Sequence, residues 1–142
     1  MPEIREMLPG DYDQVAALWK AVDGLGWDEV ADSRAGVEKY LARNPGTCFV
    51  AEAGGRVVGT VLCGHDGRRG YIYHLAVSPS ARRRGVGRAL AEGALASLRA
   101  AGIRKCHLFV FNANRAALAF WTALGWQVRD FVTLSRLVDQ GG

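Results

Sequence analysis

The stretch Leu75-Ala76-Val77-Ser78-Pro79-Ser80-Ala81-Arg82-Arg83-Arg84-Gly85-Val86-Gly87-Arg88-Ala89 decides how the rest of this 142-residue chain is read. Residues 71–77 are rich in aromatic and branched side chains, which favours a strand, and Pro79 ends it. From Gly85 the apolar spacing turns helical: Val86, Leu90, Ala94 and Leu98 form one stripe that Gly102 terminates. A strand therefore feeds a helix through a turn with two glycines. The first-turn N–H groups of such a helix have no intrahelical acceptor and lie at the positive end of its dipole. A phosphate group satisfies both conditions. Gly85 and Gly87 let the main chain approach a pyrophosphate, and Arg82, Arg83, Arg84 and Arg88 can add charge-assisted contacts. No Gly-Lys-Ser/Thr follows, which excludes a Walker loop, and the Gly-x-Gly-x-x-Gly dinucleotide pattern is absent.

Upstream, residues 2–7 read as a short first strand. Asp11 is a candidate cap for a helix over 12–22, where Val15, Leu18, Trp19 and Val22 recur on one face. Asp32 or Ser33 can cap a second helix that ends at Asn44-Pro45-Gly46. Residues 47–52, 56–64 and 71–77 form a meander, joined by Gly54-Gly55 and by the polar turn 66–70. Downstream, 104–111 reads as a strand, 113–124 as a short helix and 126–137 as one long or two short strands. The order β-α-α-β-β-β-α-β-α-β predicts an α+β fold, a mixed sheet of 6–7 strands with about four helices on its faces, in a single domain over 1–142.

Composition narrows the function. The net charge is +4, from 18 basic and 14 acidic residues, and Arg82, Arg83, Arg84 and Arg88 account for the whole excess. The positive charge is thus local, which favours one anionic ligand over a nucleic-acid-coating surface. Cys48, Cys63 and Cys106 are an odd set with no close spacing, so buried free thiols are expected rather than disulfides or a metal cluster. No apolar run approaches the ~18 residues of a membrane span, and the first residues lack a signal-peptide order. A reduced, cytoplasmic protein is expected, with neither nucleic acid nor membrane as partner.

The pattern Arg82-x-x-Gly85-x-Gly87 resembles the Gln/Arg-x-x-Gly-x-Gly/Ala signature of the GNAT family of N-acetyltransferases, and Asn114-x-x-Ala117-x-x-Phe120-Trp121-x-x-Leu124-Gly125-Trp126 is similar to its second motif. Motif similarity covers roughly residues 71–126, and the element order follows the family throughout. The first 45 residues look like those of small bacterial acetyltransferases of unassigned substrate.

The resemblance implies acetyl-CoA as co-substrate, no metal, and attack of an amine on the thioester through a tetrahedral intermediate. It implies that the strands flanking the phosphate-binding helix splay apart. Backbone groups of Leu75 and Val77 would hold pantetheine, and those of Arg83, Arg84, Gly85, Val86, Gly87 and Arg88 the pyrophosphate. An N–H of Leu75 or Ala76 would stabilise the oxyanion. Asn114 matches the asparagine that binds the pantetheine arm, and it reads equally well as a helix cap.

Many relatives place a tyrosine acid where this chain has Trp121, whose indole cannot titrate. Trp121 can instead pack on the coenzyme, and Tyr73 becomes the substitute acid. This departure also supports an alternative, a non-catalytic acyl-CoA sensor on the same fold. For the base, Glu52 ranks first and His74 second, although strand alternation places His74 opposite Tyr73 and Leu75. The connection holding Asp23, Trp27, Asp28 and Glu29 would form the wall for a small-molecule or peptide amine. An exposed final strand would favour a homodimer.

Overall fold

The computed structural model describes residues 1–139. It separates into two compact units, Met1–Phe111 and Asn112–Gly142. In the first unit the elements are β1 (Glu3–Glu6), a 3-10 turn (Pro9–Asp11), α1 (Tyr12–Ala21), α2 (Arg34–Arg43), β2 (Phe49–Ala53), β3 (Arg56–His65), β4 (Gly70–Val77), a second 3-10 turn (Pro79–Ala81), α3 (Val86–Ala100) and β5 (Cys106–Leu108). The second unit holds α4 (Arg115–Ala123).

The five strands lie in sequence order in one sheet. β1 to β4 pair antiparallel, and β5 runs parallel to β4 after the α3 crossover. The mixed α+β architecture agrees with the sequence reading. The strand count does not: five strands stand where 6–7 were expected. Residues 126–137 form no strand, because an extended segment becomes one only with a hydrogen-bonded neighbour, and α4 is the only regular element of its own unit among the described residues. The strand expected over 104–111 shrinks to Cys106–Leu108 for the same reason, since β4 pairs with it only from Gly70 to Ile72.

Local chemistry explains the helix starts. Ser33 caps α2, its hydroxyl accepting from the Gly36 N–H at 3.0 Å. Asp11 precedes α1 without capping it; its carboxylate accepts from the Leu8 N–H and pairs with Arg5 instead. The polar turn after β3 is an Asx turn, with Asp66 Oδ1 accepting from the N–H groups of Arg68 and Arg69 at 2.8 Å.

The two faces of the sheet carry different helices. Val15, Leu18 and Trp19 of α1 and Val37 of α2 pack with Val50, Leu62 and Ala76. The opposite face receives α3 through Val86, Leu90, Ala94 and Leu98, all buried. Gly59 and Gly70 make room for that helix: a Cβ at Gly59 would stand 3.0 Å from Leu90 Cδ1 and 3.1 Å from Val86 Cγ1. The α3 stripe is the one its spacing predicts.

Cys48 and Cys63 are buried free thiols, and burial pushes Cys48 up to about 11; Cys106 is only half-buried. No helix among the described residues is long and apolar enough to cross a membrane.

Gly59→Val should wedge α3 from the sheet at its N-terminal end and cost about 1–3 kcal/mol, read as a lower urea midpoint at unchanged slope.

Candidate functional site

β3 and β4 do not pair evenly. Thr60 faces Ala76 and Leu62 faces Tyr73, so two steps along β3 match three along β4. The extra residue is a β-bulge at His74–Leu75. His74 has φ 48°, the left-handed region, where a side-chain-bearing residue costs roughly 1–2 kcal/mol. Such strain persists only where neighbours enforce it. Here Thr60 does so: its hydroxyl donates to the His74 carbonyl at 3.0 Å and accepts from Trp19 Nε1 at 2.8 Å. Thr60 is fully buried, so the bulge is fixed from inside the core.

The bulge corrects the expected alternation. The His74 ring lies 4.7 Å from that of Trp19 on α1, and Tyr73 meets Tyr40 of α2 edge-on at 6.2 Å. Both side chains therefore face the α1/α2 side. His74 Nε2 sits 2.9 Å from each carboxylate oxygen of Asp32, and Asp32 also accepts from the Asp28 N–H at 2.8 Å. Tyr12 donates its phenol to the Asp32 carbonyl at 2.7 Å. The connection between α1 and α2 is thus tied to β4. Tyr73 is 41% exposed, and partial burial raises its phenol above the usual value, keeping it protonated at neutral pH.

Glu52 is placed elsewhere. It lies on β2, two strands from β4, and accepts from Arg5 Nε at 2.8 Å. Arg5 also grips both oxygens of Asp11, at 2.8 and 2.9 Å. An ion-paired carboxylate on this strand is not brought to His74 or Tyr73. Among the other residues singled out, Trp19 belongs to the core, and Trp27 lies beneath the Lys20 ammonium, 4.5 Å from its ring centroid.

Beyond Ile72 the side of β4 towards β5 has no ladder partner in this unit. Leu75 and Val77, on this open length, are half-buried, and Ala76 is buried in the core. The chain then turns into α3 through two left-handed residues, Arg83 at φ 64° and Gly85 at φ 76°. Gly85 is the N-cap of α3, no side chain caps it, and a Cβ there would meet nothing within 4 Å. Val86 and Gly87 are buried, seating the first turn while its N–H groups stay available.

The arginines divide. Arg82 Nε donates back to the Val77 carbonyl at 3.1 Å, and Arg88 pairs with Glu92 at 3.0 Å. Among the described residues, exposed Arg83 and Arg84 make no ion pair. An uncapped helix start, two guanidinium groups without an ion pair among the described residues and an open strand edge are the chemistry that could receive a phosphate-bearing, extended ligand.

In the second unit Asn114 caps α4, its Oδ1 accepting from the Ala117 N–H at 3.0 Å, so the cap reading is realised. Trp121 is buried and meets Phe120 and Trp126 in T-shaped contacts at 5.1 and 5.0 Å.

Sequence reasoning considered Asp32 only as a helix cap and passed over Thr60. Asp32 and His74 are 42 positions apart, and no local spacing links them. The register shift that aims His74 is a property of paired strands, not of one strand's sequence.

The Arg5 bracket has a pH signature. Hydrogen bonding to Arg5 holds the Asp11 carboxyl below the usual carboxylate range, outweighing its partial burial. A depressed folded-state value stabilises above the unfolded value, near ~4, and the gain disappears as pH falls through the folded one. Asp11→Asn should lower stability at pH 7 and flatten the stability profile below pH ~4 in urea titrations.

The model of the acetyltransferase (GNAT) family matches residues 12–126. An acetyltransferase of Pectobacterium atrosepticum is 36% identical over 139 residues, covering 96% of each chain. Among solved structures, the PaiA N-acetyltransferase of Thermoplasma acidophilum, in complex with coenzyme A, superposes with a TM-score of 0.79 at 18% identity, over 93% of each chain. The aminoglycoside enzyme AAC(6')-Iy, in complex with a bisubstrate analogue, gives 0.79 at 22% identity, over 96% of this chain and 98% of that one.

Proposed function

This chain belongs to the acetyltransferase (GNAT) family, and from that premise we propose that it transfers the acetyl group of acetyl-CoA to a primary amine, with His74 as proton acceptor. One observation carries the reading: the uncapped, glycine-started α3 stands beside a length of β4 that has lost its neighbour strand. Main-chain N–H groups of residues 83–88 with Arg83 and Arg84 would hold the pyrophosphate, and the open edge at Leu75–Val77 the pantetheine arm. A bulged strand turns an N–H out of the ladder at Leu75 or Ala76, where it can stabilise negative charge on the acetyl oxygen. In the second unit, the match of Asn114 and Trp121 to the family's second motif supports a role for each in coenzyme binding.

The reaction forms a bond from the amine nitrogen to the acetyl carbon and breaks the carbon–sulfur bond. The ammonium substrate must first lose a proton, and His74, beside the bulge, is the proposed acceptor. The departing sulfur needs a proton or solvent. Tyr73, on the same face and protonated at neutral pH as a phenol is, is the proposed donor, in place of the tyrosine that Trp121 replaces. The second proton, which the nitrogen sheds as the tetrahedral intermediate collapses, restores its phenol. Glu52 is a weaker choice for the base because Arg5 holds it.

The acceptor is proposed to be a small-molecule or peptide amine that enters beside the α1–α2 connection, where Asp28 and Glu29 are exposed and can attract an ammonium group. The AAC(6')-Iy bisubstrate complex supports the small-molecule class.

Gly85→Val forces a branched side chain into left-handed backbone. It should weaken acetyl-CoA binding at least ~10-fold by calorimetry, with far-UV circular dichroism preserved. Equal affinity in the variant would remove the assigned cradle.

A thiol-release assay with acetyl-CoA against spermidine, kanamycin, lysine amide and a free-N-terminus peptide tests the transfer itself. Turnover should appear with at least one amine, and His74→Gln should lower kcat on the order of 10²-fold. Tight acetyl-CoA binding with no amine-dependent release would favour the sensor reading.

A further inference from the structure

We infer that Asp32 is a positioning residue, fixing the His74 imidazole with its proton on Nε2 so that Nδ1 is the atom that accepts the substrate proton. This rests on the role proposed for His74 above, and it assigns which ring nitrogen works and what selects it.

Three observations converge. First, both Asp32 oxygens lie 2.9 Å from His74 Nε2, and a carboxylate can only accept there, so Nε2 carries hydrogen. In the neutral ring Nδ1 then holds the lone pair.

Second, among the described residues Nδ1 makes no hydrogen bond, yet no buried side-chain nitrogen or oxygen lacks a partner. Nδ1 therefore reaches solvent, although the His74 side chain is only 16% exposed.

Third, Asp32 is itself held. Its side chain is 4% exposed, its Oδ2 accepts from the Asp28 N–H at 2.8 Å, and its carbonyl accepts from Tyr12 at 2.7 Å. The ring is gripped on its other side by Trp19 at 4.7 Å.

The titratable groups facing His74 are Asp32 and Asp28 from the α1–α2 connection, Tyr12 of α1 behind the Asp32 carbonyl, and its strand neighbour Tyr73. When Nδ1 takes the proton from the ammonium, the ring becomes a cation beside Asp32, which stabilises it. The proton then leaves to solvent through the same nitrogen, and no other bond changes.

The decisive variant is Asp32→Asn. The amide that replaces the carboxylate has one oxygen, and the Asp28 N–H claims it. Its oxygen stays within reach of Nε2, but the NH2 group now stands where Oδ1 was, 2.9 Å from Nε2. Two hydrogens facing each other there are disfavoured, which shifts the balance towards Nε2 as acceptor with the ring hydrogen on Nδ1.

The experiment is long-range 15N–1H correlation of the histidine rings in the intact protein across pH, with no ligand. Wild type should show His74 with hydrogen on Nε2 once neutral. Asp32→Asn should show it on Nδ1, with unchanged circular dichroism.

In the thiol-release assay, with the fastest amine of the four-member panel, Asp32→Asn should lower kcat on the order of 10²-fold while KM for acetyl-CoA stays within about twofold. Wild-type His74 with hydrogen on Nδ1, or Asp32→Asn with unchanged tautomer and rate, overturns the inference. A fast His74→Gln enzyme with the expected wild-type tautomer would overturn the role given to His74 and with it the catalytic use of Nδ1, leaving only the tautomer that Asp32 fixes.

Discussion

The buried hydroxyl of Thr60 holds the arrangement together. It takes the indole hydrogen of Trp19 and gives its own to the carbonyl of a left-handed His74. Without that donor, the bulged carbonyl would be partnerless beside the core, and an unmet buried polar group costs about 1–3 kcal/mol. The bond offsets the backbone strain and ties α1 to the middle of β4. Everything on the α1/α2 face is placed relative to this point. Tyr73 turns to Tyr40, His74 to Trp19 and Asp32, and the connection after α1 folds back over them through Asp28.

The same strand serves its other neighbour by not pairing. Three residues of β4 match β5, and the rest of its edge is left without a ladder. Parallel strands joined by a long helix can diverge in this way, because the crossover does not force their far ends together. Their separation begins one residue before the bulge. The open edge and the bulge lie side by side on β4, next to the positive end of α3.

Much of this was legible beforehand, for identifiable reasons. Helical stripes such as Val86-Leu90-Ala94-Leu98 follow from burial at a 3.6-residue period, and Ser33 and Asn114 cap helices because a short side-chain acceptor there satisfies a free N–H. The turn at Gly85 was readable because only glycine takes that conformation without strain. What was not legible has one source in common. Glu52 ranked first as base because it ends a strand that in the family can border the acceptor site, and the chain position gave no sign that Arg5 would lie across from it. Alternation placed His74 opposite Tyr73 because it presumes regular pairing, which the bulge breaks. Residues 126–137 alternate like a strand, and the pattern cannot supply the partner a strand needs. Contacts between distant positions are decided by register, which a single sequence does not print.

Because α3 and its arginine-rich turn are mounted on one side of the sheet, and α1, α2 and their connection on the other, the two halves of the proposed chemistry are mechanically separable. Gly59 keeps α3 seated close, whatever happens across the β-layer. The loop around Trp27–Glu29 can then drift in sequence and shape without loosening the proposed grip on a nucleotide. A scaffold divided this way would let acceptor preference diversify while the donor half is inherited unchanged, which suits a chain that shares its fold with two acetyltransferases at 18 and 22% identity.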